Sequence, residues 1–473
     1  MNKEYASKVK KYMKRYPKEF TINPKGELYC NLCSKTVSCE TKWLVDKHRA
    51  SKQHSNSIQQ NVVIANPSQQ TFIQQEYNAF LDALVRGFSS ANIPLHKLRN
   101  PDIKNLFQLF GAPNVSETIA RNFLLGPFYS NHEIALRTLL SNKDIFLVVD
   151  ESEINGTKYC NVLFGLMNNP RKTFVIDSAP STQSFDSMAI TRIVTNVVSK
   201  YNILPHNLLL LISDAARYMI KAGNNLKVLY PNLFHITCLA HLVHNCAMKI
   251  RSHYKCVDDL IACIKMLTVK NKTRSMLFQS IGLPPQVIIT RWSSWLIASL
   301  YYSKNLPLIR NIVLSLPDTG VIVTRAQNAI TAPGLVNDLI SIKQCYEVLI
   351  EILEQFEKST YTIQSGYDAL SGINCLNDPV GIKLYLQDRL QKNDITSIVN
   401  HFNDNISPDR YVSLKQCIPT SLPVERSFSL LKKMLSSDRH FSPINVPKYL
   451  SLYYNKFNNV EQEEHSDDES LVE

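Results

Sequence analysis

Leu208 to Ile212 is a run of five aliphatic residues with no polar interruption. It is too short for a core helix and fits a strand covered on both faces. Such a strand needs neighbours, and the preceding residues supply them. Ile145 to Val149, Tyr159 to Met167 and Lys172 to Ile176 are compact β-rich runs, and Ile154-Asn155-Gly156-Thr157 links the first two as a turn. Met188, Ile190, Ile193, Val194, Val197 and Val198 then recur at helical spacing. The predicted order over residues 143–213 is β-β-β-α-β.

That order places two carboxylates. Asp150 ends the first strand and Asp214 ends the fourth. If those strands are adjacent, both side chains emerge side by side and repel unless a cation lies between them. A divalent metal held by carboxylate oxygens, with open positions for water and phosphate, satisfies such a site. Glu425, in the first turn of a helix expected over 421–435, is the candidate third acid. The plainer reading of an Asp after a strand is a helix cap or turn residue.

A second cluster lies near the N-terminus. Cys30 and Cys33 are followed after fourteen residues by His48 and after five more by His54. Two thiolates on a knuckle and two imidazoles at the end of a helix expected over 41–51 match a tetrahedral Zn²⁺ site in a ββα-type finger. So small a segment has little core of its own, and metal would supply most of its folding energy. Cys39 lies out of register and is read as structural.

Charge is unevenly distributed. Residues 1–60 carry 13 Lys and Arg against 5 Asp and Glu, while residues 461–473 carry 7 acids and no Lys or Arg. A basic head on a chain that is 44% hydrophobic points to a polyanionic partner, most simply nucleic acid. Lys8, Lys10, Lys11, Lys14 and Arg15 read as a solvated helix face, a nuclear import signal or a phosphate-contacting arm. Glycine is scarce, and neither Gly-rich phosphate-binding motif occurs. Eleven cysteines, an odd number, do not suggest a disulfide framework. With no signal peptide and no long apolar run, the expectation is a soluble, intracellular, thiol-reduced protein without a membrane partner.

Most of the rest reads as helical: 72–142, 215–250, 255–270, 296–400 and 446–456. Cys238-x-x-His241 could be half a zinc site, but no second pair lies near enough to complete it. Arg291-Trp292 stands outside any apolar run. An exposed Trp there can stack an unpaired base while Arg meets phosphate; a buried Trp would simply anchor a core.

These stretches together resemble a transposase of the hAT superfamily, in the branch related to the CGG triplet-repeat-binding protein. The similarity rests on the Cys30 to His54 finger, Phe80–Arg86 with Asn92–His96, Leu147–Glu151, Ser213–Ala216, Cys238–His241, Thr290–Trp292 and Pro419–Phe428. The resemblance implies an α/β ribonuclease H-like catalytic core with a large all-α insertion, preceded by the zinc finger and a helical region. It implies Asp150, Asp214 and Glu425 as catalytic acids holding Mg²⁺ or Mn²⁺. His241 would lie beside the scissile phosphate, and Arg291 and Trp292 would hold a flipped base. The expected division is a basic arm (1–20), finger (21–58), linker (59–71), helical DNA-binding or dimerisation region (72–142), core (143–249), helical insertion (250–410), last part of the core with C-terminal dimerisation helices (411–456) and disordered acidic tail (457–473). The implied function is nuclear cut-and-paste transposition by a homo-oligomer acting on double-stranded DNA, at element-terminal inverted repeats and target sites. The alternative is a domesticated DNA-binding transcriptional regulator with an idle core.

Overall fold

The computed structural model describes residues 3–17, 19–23, 25–31, 33, 35–51, 54, 67–91, 93–269, 271–285, 287, 294–317, 320–374, 378–400, 406–436 and 441–455. The acidic tail expected at 457–473 lies outside them, as do residues 59–66 of the expected linker. Residues 67–71 of that linker are not loop but open the helix Pro67–Ser90. The chain is mixed α/β with mostly helical content, and it divides into two compact units, Met1–Phe123 and Leu124–Glu473.

The first unit begins with the helix Lys3–Arg15. Three short antiparallel strands follow in the order β1 (Phe20–Ile22), β2 (Leu28–Cys30), β3 (Lys35–Thr36), and then the helix Lys42–Arg49. Thr41 caps that helix by accepting from Leu44 N at 3.4 Å. The stretch read as a basic arm is amphipathic. Val9 and Tyr12, one turn apart, enter a core with Phe20, Leu28, Val37, Cys39 and Val45, while Lys10, Lys11, Lys14 and Arg15 stay exposed. The finger is thus built on a helix N-terminal to residue 21, because its strands alone bury too little apolar surface. Helices Pro67–Ser90, Pro101–Leu109 and Glu117–Phe123 complete the unit.

The second unit is organised by a five-stranded sheet: β4 (Ile145–Ile154), β5 (Thr157–Leu166), β6 (Asn169–Ser181), β7 (Leu208–Ser213) and β8 (Phe234–Thr237), in spatial order β6-β5-β4-β7-β8. The first three form an antiparallel meander, and β7 and β8 run parallel to β4. Asn155 and Gly156 both have positive φ, 52° and 77°, the conformation a two-residue hairpin needs to match strand twist. Gly165 sits opposite Phe146 in the β4–β5 register, and a Cβ there would run into the Phe146 ring. The four-residue strand β8 falls inside 215–250, which the sequence presented as helical. The flanking helices Arg217–Leu229 and Leu239–His253 carry the helical period on both sides of it.

The crossover from the meander to β7 is the helix Ser187–Lys200, capped by Asp186, whose side chain accepts from Ala189 N at 2.7 Å. Its Ile190, Val194, Val197 and Val198 pack against the sheet and the helix Arg217–Leu229. After β8 the chain runs through helices from Leu239–His253 to Pro408–Gln416, then returns. Helix Leu422–Met434 packs on β4 and β5, and helix Val446–Asn455 on β6. Asn455 fastens the return: its Oδ1 accepts from Val175 N at 2.8 Å, and its Nδ2 donates to Val175 O at 3.0 Å. Among the described cysteines, nine form no disulfide and Cys345 is disulfide-bonded, which departs from the all-reduced expectation. Among the described residues, no helix is long and apolar enough to cross a membrane.

Candidate functional site

The adjacency of the first and fourth sheet strands puts two acids at one end of the sheet. β4 and β7 pair in parallel through Val148 opposite Ile212, so the same register carried on by two residues sets Asp150 level with Asp214. Asp150 is buried, and its Oδ1 accepts from Glu151 N at 2.8 Å. Asp214 does local work: its Oδ1 accepts from Ala216 N at 3.1 Å, at the entry to helix Arg217–Leu229. Ser213 holds that corner. Its Oγ donates to Asp214 O at 2.8 Å and lies 2.9 Å from His235 Nε2.

The other two residues come from helix starts far apart in sequence. Cys238 precedes the helix Leu239–His253, and Ser421 precedes the helix Leu422–Met434. Backbone bonds link the region to β7 and to Pro419: Cys238 N donates to Ser213 O at 2.8 Å, and Leu239 N donates to Pro419 O at 3.0 Å. Ser421 N donates to Cys238 Sγ at 3.2 Å. Ser421 Oγ lies 3.3 Å from His241 Nδ1. The two helix N-termini are thereby stitched together, and His241 Nε2 faces Glu425 Oε1 at 3.7 Å. Glu425 lies in the first turn of its helix, where the positive end favours an anionic group.

Ligand atoms of Asp150, His241 and Glu425 all lie within 4.8 Å of one another, a group able to hold a metal ion. Asp214 is not in this group. The carboxylates are mutually unfavourable. Burial, then Glu425 and Asp214, pushes the Asp150 carboxyl well above its ordinary range, with His241 opposing. Burial pulls the His241 imidazole down, but Cys238, Asp150 and Glu425 outweigh it and raise it to about 9. Without metal, the thiol and carboxylates around it thus favour the protonated imidazole. Burial pushes the Cys238 thiol up, and bonds from His241 and Ser421 bring it below an ordinary thiol. A buried carboxylate beside a half-exposed one is the donor chemistry a hard divalent cation takes.

Ser421 and Asn161 escape a sequence reading. Asn161, the cross-strand partner of Asp150, is wholly buried. Its Nδ2 donates to Ser427 Oγ at 2.8 Å, and its Oδ1 accepts from Ser178 Oγ at 2.6 Å. It thus bolts the Glu425 helix to the sheet. Only the Ser-x-Pro opening of that helix could have signalled Ser421. Arg291 and Trp292 lie outside the described residues. Trp295 is a core anchor, its Nε1 donating to Asp258 Oδ1 at 2.9 Å beside the Arg251 Nε bond at 2.8 Å.

In the first unit, Cys30, Cys33, His48 and His54 bring one ligand atom each within 4.8 Å of the others. His54 Nδ1 lies 3.5 Å from Cys30 Sγ and 3.4 Å from Cys33 Sγ, and Cys33 N donates to Cys30 Sγ at 3.4 Å. The His48 and His54 ring centroids are 4.9 Å apart. His48 Nε2 is buried without a hydrogen-bond partner. Burial, with the neighbouring His54 and Lys35, holds His48 below its ordinary pKa and so keeps it neutral. Two thiols, two imidazoles and an orphaned buried nitrogen fit Zn²⁺. Beyond them, Trp43 is 64% exposed and Lys47 Nζ lies 4.5 Å above its ring.

Residues 133–267, from the helix before β4 to the helix after Leu239–His253, match the model of a domain of unknown function, DUF659. That domain is found in hAT-family transposase-like proteins. The match covers β4 to β8 and includes Asp150, Asp214 and His241, and it stops before Glu425. No curated protein matches the chain.

Proposed function

We propose that the chain is a hAT-type cut-and-paste DNA transposase whose second unit is a ribonuclease H-like catalytic core. The observation that carries this reading is the convergence of Asp150, His241 and Glu425, drawn from a strand end and two helix starts, to within 4.8 Å. The β-β-β-α-β order with β4 and β7 adjacent, and the DUF659 match across it, support the same reading. Asp150 and Glu425, with Asp214 at the end of the neighbouring strand, would hold Mg²⁺ or Mn²⁺. Bound there, such a metal would supply activation of water and charge stabilisation for phosphodiester hydrolysis and strand transfer. His241 donates a hydrogen bond to a non-bridging phosphate oxygen. Cys238 and Ser421 orient its ring. The Zn²⁺ finger presents exposed Lys42 and Lys47 to DNA phosphates. Arg291 and Trp292 hold a flipped base, a role resting on the resemblance alone. The protein acts in the nucleus as a homo-oligomer on element-terminal inverted repeats and target DNA.

One observation favours the alternative, a DNA-binding regulator with an idle core: Asp214 lies outside the tight group, which then holds two carboxylates. Incubation of the full chain with supercoiled plasmid separates the two. The transposase reading expects Mn²⁺-dependent nicking that Asp150→Asn and Glu425→Gln abolish. Retained plasmid binding with no nicking at any Mn²⁺ concentration would favour the regulator.

A further inference from the structure

The four zinc-ligand candidates leave one geometric question: what turns His54 so that Nδ1, rather than Nε2, faces the sulfurs. The answer lies on the opposite side of the ring. His54 is wholly buried, and its Nε2 donates to Glu19 Oε2 at 3.1 Å. The Glu19 carboxylate is itself fixed. Arg49 Nε donates to Oε2 at 2.7 Å and Arg49 Nη2 to Oε1 at 2.9 Å, a two-pronged grip from the end of the finger helix. Arg49 is held in turn, with its guanidinium carbon 3.9 Å from the centroid of the Tyr16 ring. Glu19 immediately precedes β1, and its backbone O accepts from Asn31 N at 2.9 Å, between the two cysteines. One residue thus touches both halves of the Cys/His group.

We propose that Glu19 is a positioning residue of the zinc centre. Its carboxylate, oriented by Arg49, takes the Nε2 proton of His54 in a hydrogen bond, fixes the tautomer, and presents Nδ1 as the fourth ligand beside Cys30, Cys33 and His48. The chemistry is that of a carboxylate–histidine–metal relay, in which the outer carboxylate sets ring orientation and raises the basicity of the ligating nitrogen. A second consequence follows from position. Glu19 lies N-terminal to residue 21, so the zinc-binding unit needs the segment joining the helix Lys3–Arg15 to β1, and Cys30 to His54 alone is an incomplete site.

The inference rests on the zinc reading, and the experiment separates the two. The full chain is loaded with Zn²⁺, and its affinity is measured by competition with a chromophoric chelator. Co²⁺ replaces zinc for visible spectroscopy, and ¹⁵N shifts of His54 report which nitrogen is metallated. Wild type taking up no Zn²⁺ would overturn the zinc reading itself, and the Glu19 proposal with it. With one Zn²⁺ bound, the expected results are His54 metallated at Nδ1, a loss of about 10–100-fold in affinity for Glu19→Ala, and a shift in the Co²⁺ ligand-field bands. Glu19→Gln, which keeps an acceptor for Nε2–H, shows a smaller loss and retains the Nδ1 signature. Arg49→Met removes the grip on Glu19 but leaves the bond to His54, and loses less than Glu19→Ala. If Glu19→Ala fails to fold, Glu19→Gln against Arg49→Met decides: Gln must weaken zinc more than Met does. Three outcomes would overturn the proposal: one bound Zn²⁺ with His54 metallated at Nε2, unchanged affinity in the Glu19 variants, or Arg49→Met equalling or exceeding them, which would make Glu19 only a brace for the helix.

Discussion

Asn161→Ala tests whether a buried amide holds the Glu425 helix against the sheet. The wild-type side chain has no exposed surface and makes two bonds, to Ser427 Oγ at 2.8 Å and from Ser178 Oγ at 2.6 Å. Ser427 keeps an outlet after the substitution, because its Oγ also donates to Val424 O at 2.6 Å. Among the described residues Ser178 has no such second bond from its hydroxyl, and a buried donor left unsatisfied costs about 1–3 kcal/mol. The lost Ser427 bond adds about 0.5–1.5 kcal/mol. The total is about 1.5–4.5 kcal/mol, large for one residue that neither carries a charge nor fills an apolar core. Urea unfolding followed by fluorescence reads this directly. The partners are coupled, so adding Ser178→Ala should recover part of the loss, since replacing both partners by apolar groups is far cheaper than orphaning one. A loss below about 0.5 kcal/mol, the level of a surface substitution, or strictly additive losses would refute the argument. So would plasmid nicking that survives unchanged in a variant whose Glu425 helix is loosened.

Four further outcomes are expected. The metal-free protein should be stabilised by Asp150→Asn, read as a higher Tm, because the change removes a buried charge that Glu425 and Asp214 repel. Burial, reinforced by Lys227 and opposed by Asp394, lowers His235 from 6.5 to about 4. The unfolded chain therefore takes up this proton first, and stability falls as pH drops from 6.5 toward 4, by up to about 3 kcal/mol for this imidazole. His235→Gln should flatten that acid limb in urea titrations at stepped pH. Gly165→Ala should destabilise the second unit by more than 1 kcal/mol in the same assay, because the new methyl meets the Phe146 ring in the sheet interior. Chelation of zinc should unfold the segment around Cys30–His54, seen as loss of amide protection in hydrogen exchange from β1 to the helix Lys42–Arg49.

The sheet was legible where local chemistry dictates it. Asn155-Gly156 announces the first hairpin, and the uninterrupted Leu208–Ile212 run announces a doubly covered strand; both stand where the sequence places them. β8 was not legible, because four residues between two helices carry no period of their own and exist only through pairing with β7. The helix Lys3–Arg15 looked like a solvated arm because its lysines outnumber the two residues, Val9 and Tyr12, that decide its burial. At the acid site, Asp150 and Glu425 could be named but their meeting could not. It depends on Ser421 N reaching Cys238 Sγ and on Asn161 reaching Ser427, contacts between residues 183 and 266 positions apart. Asp214 stands level with Asp150 by strand register but outside the tight group, with its Oδ1 accepting from Ala216 N. His241 was singled out as a phosphate contact, and the structure adds that its imidazole lies within 4.8 Å of both Asp150 and Glu425.

The most direct measurement is a crystal of the full chain soaked in Mn²⁺, with anomalous data collected at the manganese edge. The account predicts a peak bonded to oxygens of Asp150 and Glu425, with Asp214 or His241 within reach, and its disappearance in Asp150→Asn. Full occupancy elsewhere with nothing between Asp150 and Glu425, or a peak unchanged by Asp150→Asn, would contradict it.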